Sequence, residues 1–414
     1  MSLTADSLAA ADSLARWWRR HRPSAALPRL GPATGRVVGR MRGKIGKAMR
    51  RARLMVSGEV GGVRRVGVPA GRARSPSGGA RFMPPAVARY IDTHIRYYLV
   101  YTCVWMQGGS RRTVRLRFAV YTSLELADRV PFDEMAARAL SWIFVCSQTA
   151  PEACSRELDV HLLRAPHAKR LPSSRAQILG PAHVNSGYAS ACPRTGEIVV
   201  FREEEWFKVF VHETFHAFYL DAGAGAPALK ELSRALLPVP ASHSVQEAYT
   251  ETWARIINAL YCLDSVPDAE FGKACAEFLT IERMFGVAQA SKVLEYMGTS
   301  FECLRREDAG QVCGYNENTN VLSYYIVAGA LMHDLEKFMG WCSRNAIGFI
   351  YFKSRPRADM AFGQLLVEAI EAPSFAAEME SARGWPGRGR SSRRVALADT
   401  LRMTALECDC SRQN

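Results

Sequence analysis

The segment His212-Glu213-Thr214-Phe215-His216 carries two imidazoles four residues apart. On a helix, residues i and i+4 share a face one turn apart, so both rings reach one ion. Zinc suits such a pair, with Zn–N distances of about 2.0–2.1 Å. Glu213 sits beside the first histidine, where a carboxylate can take a proton from a metal-activated water. The chemistry expected is hydrolysis of a carbonyl compound with Glu213 as general base. The bland alternative is a helix with two core histidines. In a chain with nine histidines, this motif arises by chance in roughly one sequence in a hundred. Its surroundings favour the chemical reading. Phe207, Val209, Phe210, Val211, Phe215 and Phe218 give it an apolar helical frame, and Glu203, Glu204 and Glu205 stand where acids suit a helix N-terminus.

A catalytic zinc needs a third protein ligand and an open position. A histidine ten residues after His212 is excluded, because that position is Ala222, and position 219 is Tyr219 rather than glycine. The later segment Gln246-Glu-Ala-Tyr-Thr-Glu-Thr-Trp-Ala254 offers Glu247 and Glu251, again one turn apart on one face. Glu247 is the expected ligand. Glu251 is expected to accept a hydrogen bond from a ligand imidazole and so fix its tautomer, and it is also the alternative ligand. A solvated acidic face is disfavoured, because Ala248, Tyr249, Trp253, Ile256 and Ile257 make this helix largely apolar.

His212-Glu-Thr-Phe-His216 followed by Glu247-Ala-Tyr-Thr-Glu251 resembles the zincin metallopeptidases of gluzincin type, the thermolysin- and aminopeptidase-like enzymes. The string Glu205-Trp-Phe-Lys-Val-Phe also looks like HExxH proteins encoded by large DNA viruses. The resemblance implies a zinc peptidase with the motif helix on a mixed sheet and the second ligand helix behind it, over about residues 110–262. Two features depart from it. The span from His216 to Glu247 is longer than in thermolysin-like enzymes, and residue 251 is Glu where they have Asp. In such enzymes the strand beside the site pairs with an extended peptide. Val184-Asn-Ser-Gly-Tyr188, with Asn185 and Gly187, is the candidate here, and an ordinary turn is the alternative. Tyr249, His243, Tyr324, Tyr325 and His333 are candidates to stabilise an oxyanion, and the sequence does not choose among them.

These residues need elements to hold them. Hydrophobic spacing predicts a helix over 86–105, a strand over 113–122, a helix over 132–147 and strands over 158–163, 183–189 and 197–202. The motif helix follows over 203–220, and further helices are expected over 245–262, 269–285, 289–296 and 321–339. The expected fold class is α+β: a zincin-like mixed sheet with the site helix, then a mainly helical C-terminal half.

Charge is unevenly placed. The chain of 414 residues has a net charge of +14, yet residues 1–90 hold 19 Lys/Arg against Asp6, Asp12 and Glu59 alone. Residues 1–85, rich in Arg, Gly, Pro, Ser and Ala, are expected to be a disordered basic tail with one short helix near 7–20. A polyanion, nucleic acid or an anionic surface, is the partner that tail suits, and an organelle presequence is its other reading. Domains are expected at 86–265 (catalytic) and 266–383 (helical), with a loose basic end at 384–414. The 11 cysteines are an odd number without repeated spacing. That suggests reduced thiols and an intracellular, chiefly cytoplasmic setting, with an organelle or a viral particle as alternatives. The closing Cys408-Asp409-Cys410 is expected to be inert, and no apolar run is long enough to span a membrane. The rival to a peptidase is a non-enzymatic polyanion-binding protein with a structural or vestigial zinc. An intact Glu213 argues against it, since a structural site has no use for a base.

Overall fold

The computed structural model describes residues 2–21, 29–73, 75–77, 82–123, 130–385 and 397–409. Its centre is a six-stranded mixed sheet. In chain order the strands are β1 (Val63–Pro69), β2 (Tyr97–Gln107), β3 (Ser110–Val120), β4 (Glu157–Ala165), β5 (Gly187–Ala189) and β6 (Thr195–Arg202). Their order in space is β1-β2-β3-β4-β6-β5, with β3, β4 and β6 parallel and the other neighbours antiparallel. Gly108 and Gly109, both at positive φ, close the β2–β3 hairpin. A two-residue loop of this kind needs left-handed backbone at both positions to match the twist of the strands.

The helices that matter here are α1 (Ala5–His21), α2 (Pro32–Ser57), α3 (Phe132–Thr149), α4 (Trp206–Ala217), α5 (Val245–Cys262), α6 (Asp268–Tyr296), α7 (a π-helical start, Leu322–Val327, continued by Ala328–His333) and α8 (Leu335–Asn345). The motif helix α4 leaves β6 through a three-residue turn and lies against β5, β6, α3 and α5. Phe210, Val211 and Phe215 are buried there, and Trp142 of α3 donates its indole N–H to the Thr214 hydroxyl at 2.7 Å. The expected mixed sheet, helix on the sheet and helical C-terminal half are all present.

The expected N-terminal tail is not a tail over most of its length. α2 packs on α3 and α8, and Val37, Val38, Met41, Ile45, Met49, Ala52 and Met55 are buried. Glu336, the second residue of α8, accepts the Ala33 and Thr34 amides at 2.7 and 3.0 Å and so caps the start of α2. β1 then adds a strand to the sheet. The apolar residues recur every three to four positions between the arginines, and that stripe outweighs the Gly/Arg composition. The C-terminal expectation is corrected for 397–409, which crosses the core, buries Leu401, Met403 and Leu406, and pairs through Cys408–Asp409 with Ser2–Leu3. Residues 386–396 lie outside the described residues. One hydrophobic cluster runs from Ala10 to Cys408, so the boundaries expected at 85, 265 and 383 do not separate cores.

Smaller expectations also shift. The apolar run 86–105 is a helix only over Pro85–His94 and is strand β2 thereafter, because a strand buried on both faces shows no alternation. The segment 183–189 is a helical turn, Pro181–Val184, followed by the short β5. The two helices expected over 269–296 are one, and 321–339 breaks at Asp334 between α7 and α8. Among the described residues three cysteine pairs are bonded, Cys154–Cys192, Cys262–Cys408 and Cys303–Cys313. This departs from fully reduced thiols, and Cys408 is held by its disulfide. Cys103, Cys146, Cys275 and Cys342 are free and buried. No described helix is long and apolar enough to cross a membrane.

Candidate metal centre

α4 and α5 lie side by side, and their facing turns bring together the residues the sequence singled out. His212 and His216 point from one face of α4 toward Glu247, in the first turn of α5. Ser244 caps α5 by accepting the Glu247 amide, which sets where that carboxylate enters the site. His212 Nε2 is 3.0 Å from Glu247 Oε2, His216 Nε2 is 3.4 Å from the same oxygen, and the two Nε2 atoms are 3.3 Å apart. Three ligands at about 2.05 Å in tetrahedral directions would sit about 3.3 Å from one another. The observed triangle has that size, and the three side chains are the metal-capable group found among the described residues.

The far sides of both imidazoles are also engaged. His212 Nδ1 faces Glu251 Oε2 at 3.2 Å, and His216 Nδ1 faces Asp221 Oδ2 at 2.6 Å. A carboxylate can only accept here, so each Nδ1 carries the proton and each Nε2 turns a lone pair inward. Two lone pairs and a carboxylate oxygen then converge within 3.4 Å. Three acceptors this close repel one another unless a cation or a proton lies between them. The titration of the groups expresses the same field. Burial works against charge on His216, yet Glu247 and Asp221 raise its pKa well above the ordinary value. Burial would raise Glu247, and the two histidines pull it well below the carboxylate range. The donor set of two nitrogens and one oxygen fits zinc.

Glu251 is not positioned as a ligand. It is buried behind His212, where Lys208 Nζ lies 2.7 Å from Oε2 and Arg255 Nε 3.0 Å from Oε1. Burial would raise its pKa, and these two cations keep it well below the usual range. Sequence reasoning missed Asp221, which is not among the residues it singles out. Asp221 also accepts from the Thr250 hydroxyl at 3.1 Å, tying the end of α4 to α5. A carboxylate five residues past the second histidine was the available signal. It missed Lys208 and Met403 as well, whose Nζ and sulfur are 3.4 Å apart at the wall of the cavity.

Glu213 lies beside the triad in a cavity that it lines with Asn185, Gly187, Lys208, His212, Tyr324 and Met403. Burial pushes its pKa up, against the pull of His212 and His216. Gly187 is in closest register with it. A Cβ there would come within 2.9 Å of the Val199 carbonyl oxygen and Val209 Cγ1, and within 3.0 Å of Glu213 Oε1. β5 is the last strand of its sheet. The Ser186 carbonyl accepts from Phe201 and the Ser190 amide donates to Glu197, so even-numbered residues bond to β6. By the antiparallel alternation, the Gly187 and Ala189 backbone groups face the open edge. The Asn185 side chain is engaged with Thr319 at 3.1 Å.

Of the five oxyanion candidates, Tyr324 is at the site. Its ring lies edge-on to His212 at 5.8 Å, and it belongs to the π-helical turn of α7, a feature frequent at functional sites. Tyr249 and Tyr325 are in the core, donating to the carbonyls of Ile350 and Leu401. His243 bonds Val239 and Ser233, and His333 bonds Glu378 and Ser374. Comparison with protein-family models, curated proteins and solved structures returned no match for this chain.

Proposed function

We propose that this protein is a zinc-dependent hydrolase, acting on peptide bonds, with His212, His216 and Glu247 holding the metal and Glu213 as general base. The observation that carries the reading is the convergence of three acceptors backed by two carboxylates, with a fourth, ligand-free carboxylate beside them. Zinc, when bound, supplies Lewis-acid chemistry: it polarises a carbonyl and acidifies water toward a pKa of about 7.

The chain's own residues do the rest. Asp221 and Glu251 orient the imidazoles, and Lys208 with Arg255 anchors Glu251. Glu213, with a pKa raised by burial, takes a proton from the attacking water and returns it to the leaving nitrogen. The outward backbone groups of Gly187 and Ala189 suit an extended peptide added to the sheet edge, which is why peptides are favoured over other acyl substrates. Tyr324, which lines the cavity with its ring against His212, is the residue assigned to donate to the developing oxyanion. A structural zinc is the rival reading, and it leaves the buried Glu213 without a role.

The test is Glu213→Gln, which removes the base and keeps the ligands. Elemental analysis should find one zinc per chain in both proteins, while hydrolysis of a mixed peptide library falls at least a hundredfold in the variant. Wild-type protein that takes up no zinc would overturn the metal assignment. Equal hydrolysis by the two proteins would overturn the base.

A further inference from the structure

The basic residues expected in a tail stand instead on a fixed helix, and their arrangement gives them a use. No Asp or Glu occurs between Asp12 and Glu59. Within α2, Arg36, Arg40, Lys47, Arg50 and Arg51 are exposed. At 3.6 residues per turn they fall within an arc of about 100°, opposite the stripe of Val37, Val38, Met41, Ile45 and Met49 that fixes the helix to the core. Arg42 and Arg53 lie off this arc and are paired with Asp268, Glu134 and Asp264. Arg40, Lys47 and Arg50 have no acidic partner among the described residues. Between the charges, a Cβ at Gly39 or Gly43 would meet nothing within 4 Å, so the backbone itself lies open there.

We propose that this face of α2 docks double-stranded nucleic acid through its phosphates. From Arg36 to Arg51 the row extends about 22 Å, over which a duplex presents about 13 phosphate charges. The side chains are prepositioned, because the helix is packed, capped by Glu336 and contains no acid of its own. A membrane surface fits less well. Helices that lie in bilayers bury their apolar face in lipid, and that of α2 is spent on the core, leaving Leu54 as its exposed large hydrophobic residue. Single strands are held by stacking on aromatic rings, and α2 contains none. It also carries no Asn or Gln for reading adenine edges, and a row of Arg and Lys alone suits contact with the phosphates, which is independent of sequence. The inference does not rest on the metal site.

The experiment uses the full chain with Arg40, Lys47 and Arg50 all changed to Gln. A control carries the same change at Lys353, Arg355 and Arg357, which are exposed on another element. Binding to duplex DNA is followed by anisotropy across a salt series, and melting temperature and zinc content check that each protein is folded. The wild type and the control should bind with the same steep salt dependence. The α2 variant should bind at least tenfold more weakly, with the slope of log K against log salt reduced by about 2.7. Equal loss in the control would show diffuse attraction and overturn the site. An unchanged α2 variant would overturn it, as would tighter binding to phosphatidylserine vesicles than to duplex.

Discussion

His216 Nδ1 lies 2.6 Å from Asp221 Oδ2, and the same oxygen accepts the Thr250 hydroxyl at 3.1 Å. One buried carboxylate thus links the last turn of the motif helix to the helix that carries Glu247. Asp221→Asn should therefore loosen the metal without touching a ligand. An amide in this place either donates to Nδ1, forcing the proton onto Nε2, or offers a weaker acceptor. The expected loss is about 10–100-fold in zinc affinity, measured by chelator competition. Affinity equal to wild type would remove Asp221 from the centre.

Gly187→Ala should impair turnover while sparing the metal. The added Cβ meets the Val199 carbonyl and Glu213 Oε1 at 2.9 and 3.0 Å. Either β5 shifts or the general base does, and a 1 Å displacement of a reacting group costs about a hundredfold. Zinc content should stay at one per chain. A variant that turns over like wild type would show that β5 does not border the reacting groups.

A chain beginning at Pro84 should not fold. It would lack α2 and β1, exposing the surfaces of α3, α8 and β2 that they cover. Removing several large buried side chains at once costs about 2–5 kcal/mol for each, against a total stability of about 5–15 kcal/mol. The expected result is insoluble protein or a melt without a cooperative transition. A soluble truncation melting as sharply as the full chain would show that α2 is dispensable.

Glu378, buried between His333 and Arg283, provides a pH test far from the metal centre. Burial would raise its pKa, but the hydrogen bond from His333 and the Arg283 charge bring it from 4.5 to about 2. A depressed carboxylate adds stability above its unfolded pKa and loses it as pH falls through the folded one. Between about pH 5 and 2 the wild type should lose about 3 kcal/mol that Glu378→Gln does not. Denaturant midpoints measured across that range decide it. Parallel curves for the two proteins would mean that Glu378 gains nothing from its ionised form.

What could be read from the sequence was whatever local geometry decides. A spacing of four on a helix puts His212 next to His216 and Glu247 next to Glu251 whatever surrounds them, and a residue adjacent to a ligand stays adjacent. The amphipathic stripes of 132–147 and 245–262 likewise specified their own helices. The structure then separated the roles of Glu247 and Glu251, because only the approach of α4 decides which carboxylate meets Nε2 and which meets Nδ1. Lys208 and Asp221 flank the motif within one or two turns, a signal that spacing offered, whereas Met403 and Tyr324 reach the site by chain returns that no spacing encodes. Composition misled where packing overrode it. Arginine and glycine made 32–57 look like a tail, yet its valines and methionines, three to four apart, found the surface of α3. The run 97–107 is so evenly apolar that it continues the helical spacing of 86–94 and shows no strand alternation. Only its pairing with β3 along its length and with β1 over Tyr97–Cys103, which takes up the backbone groups of its buried part, makes it a strand.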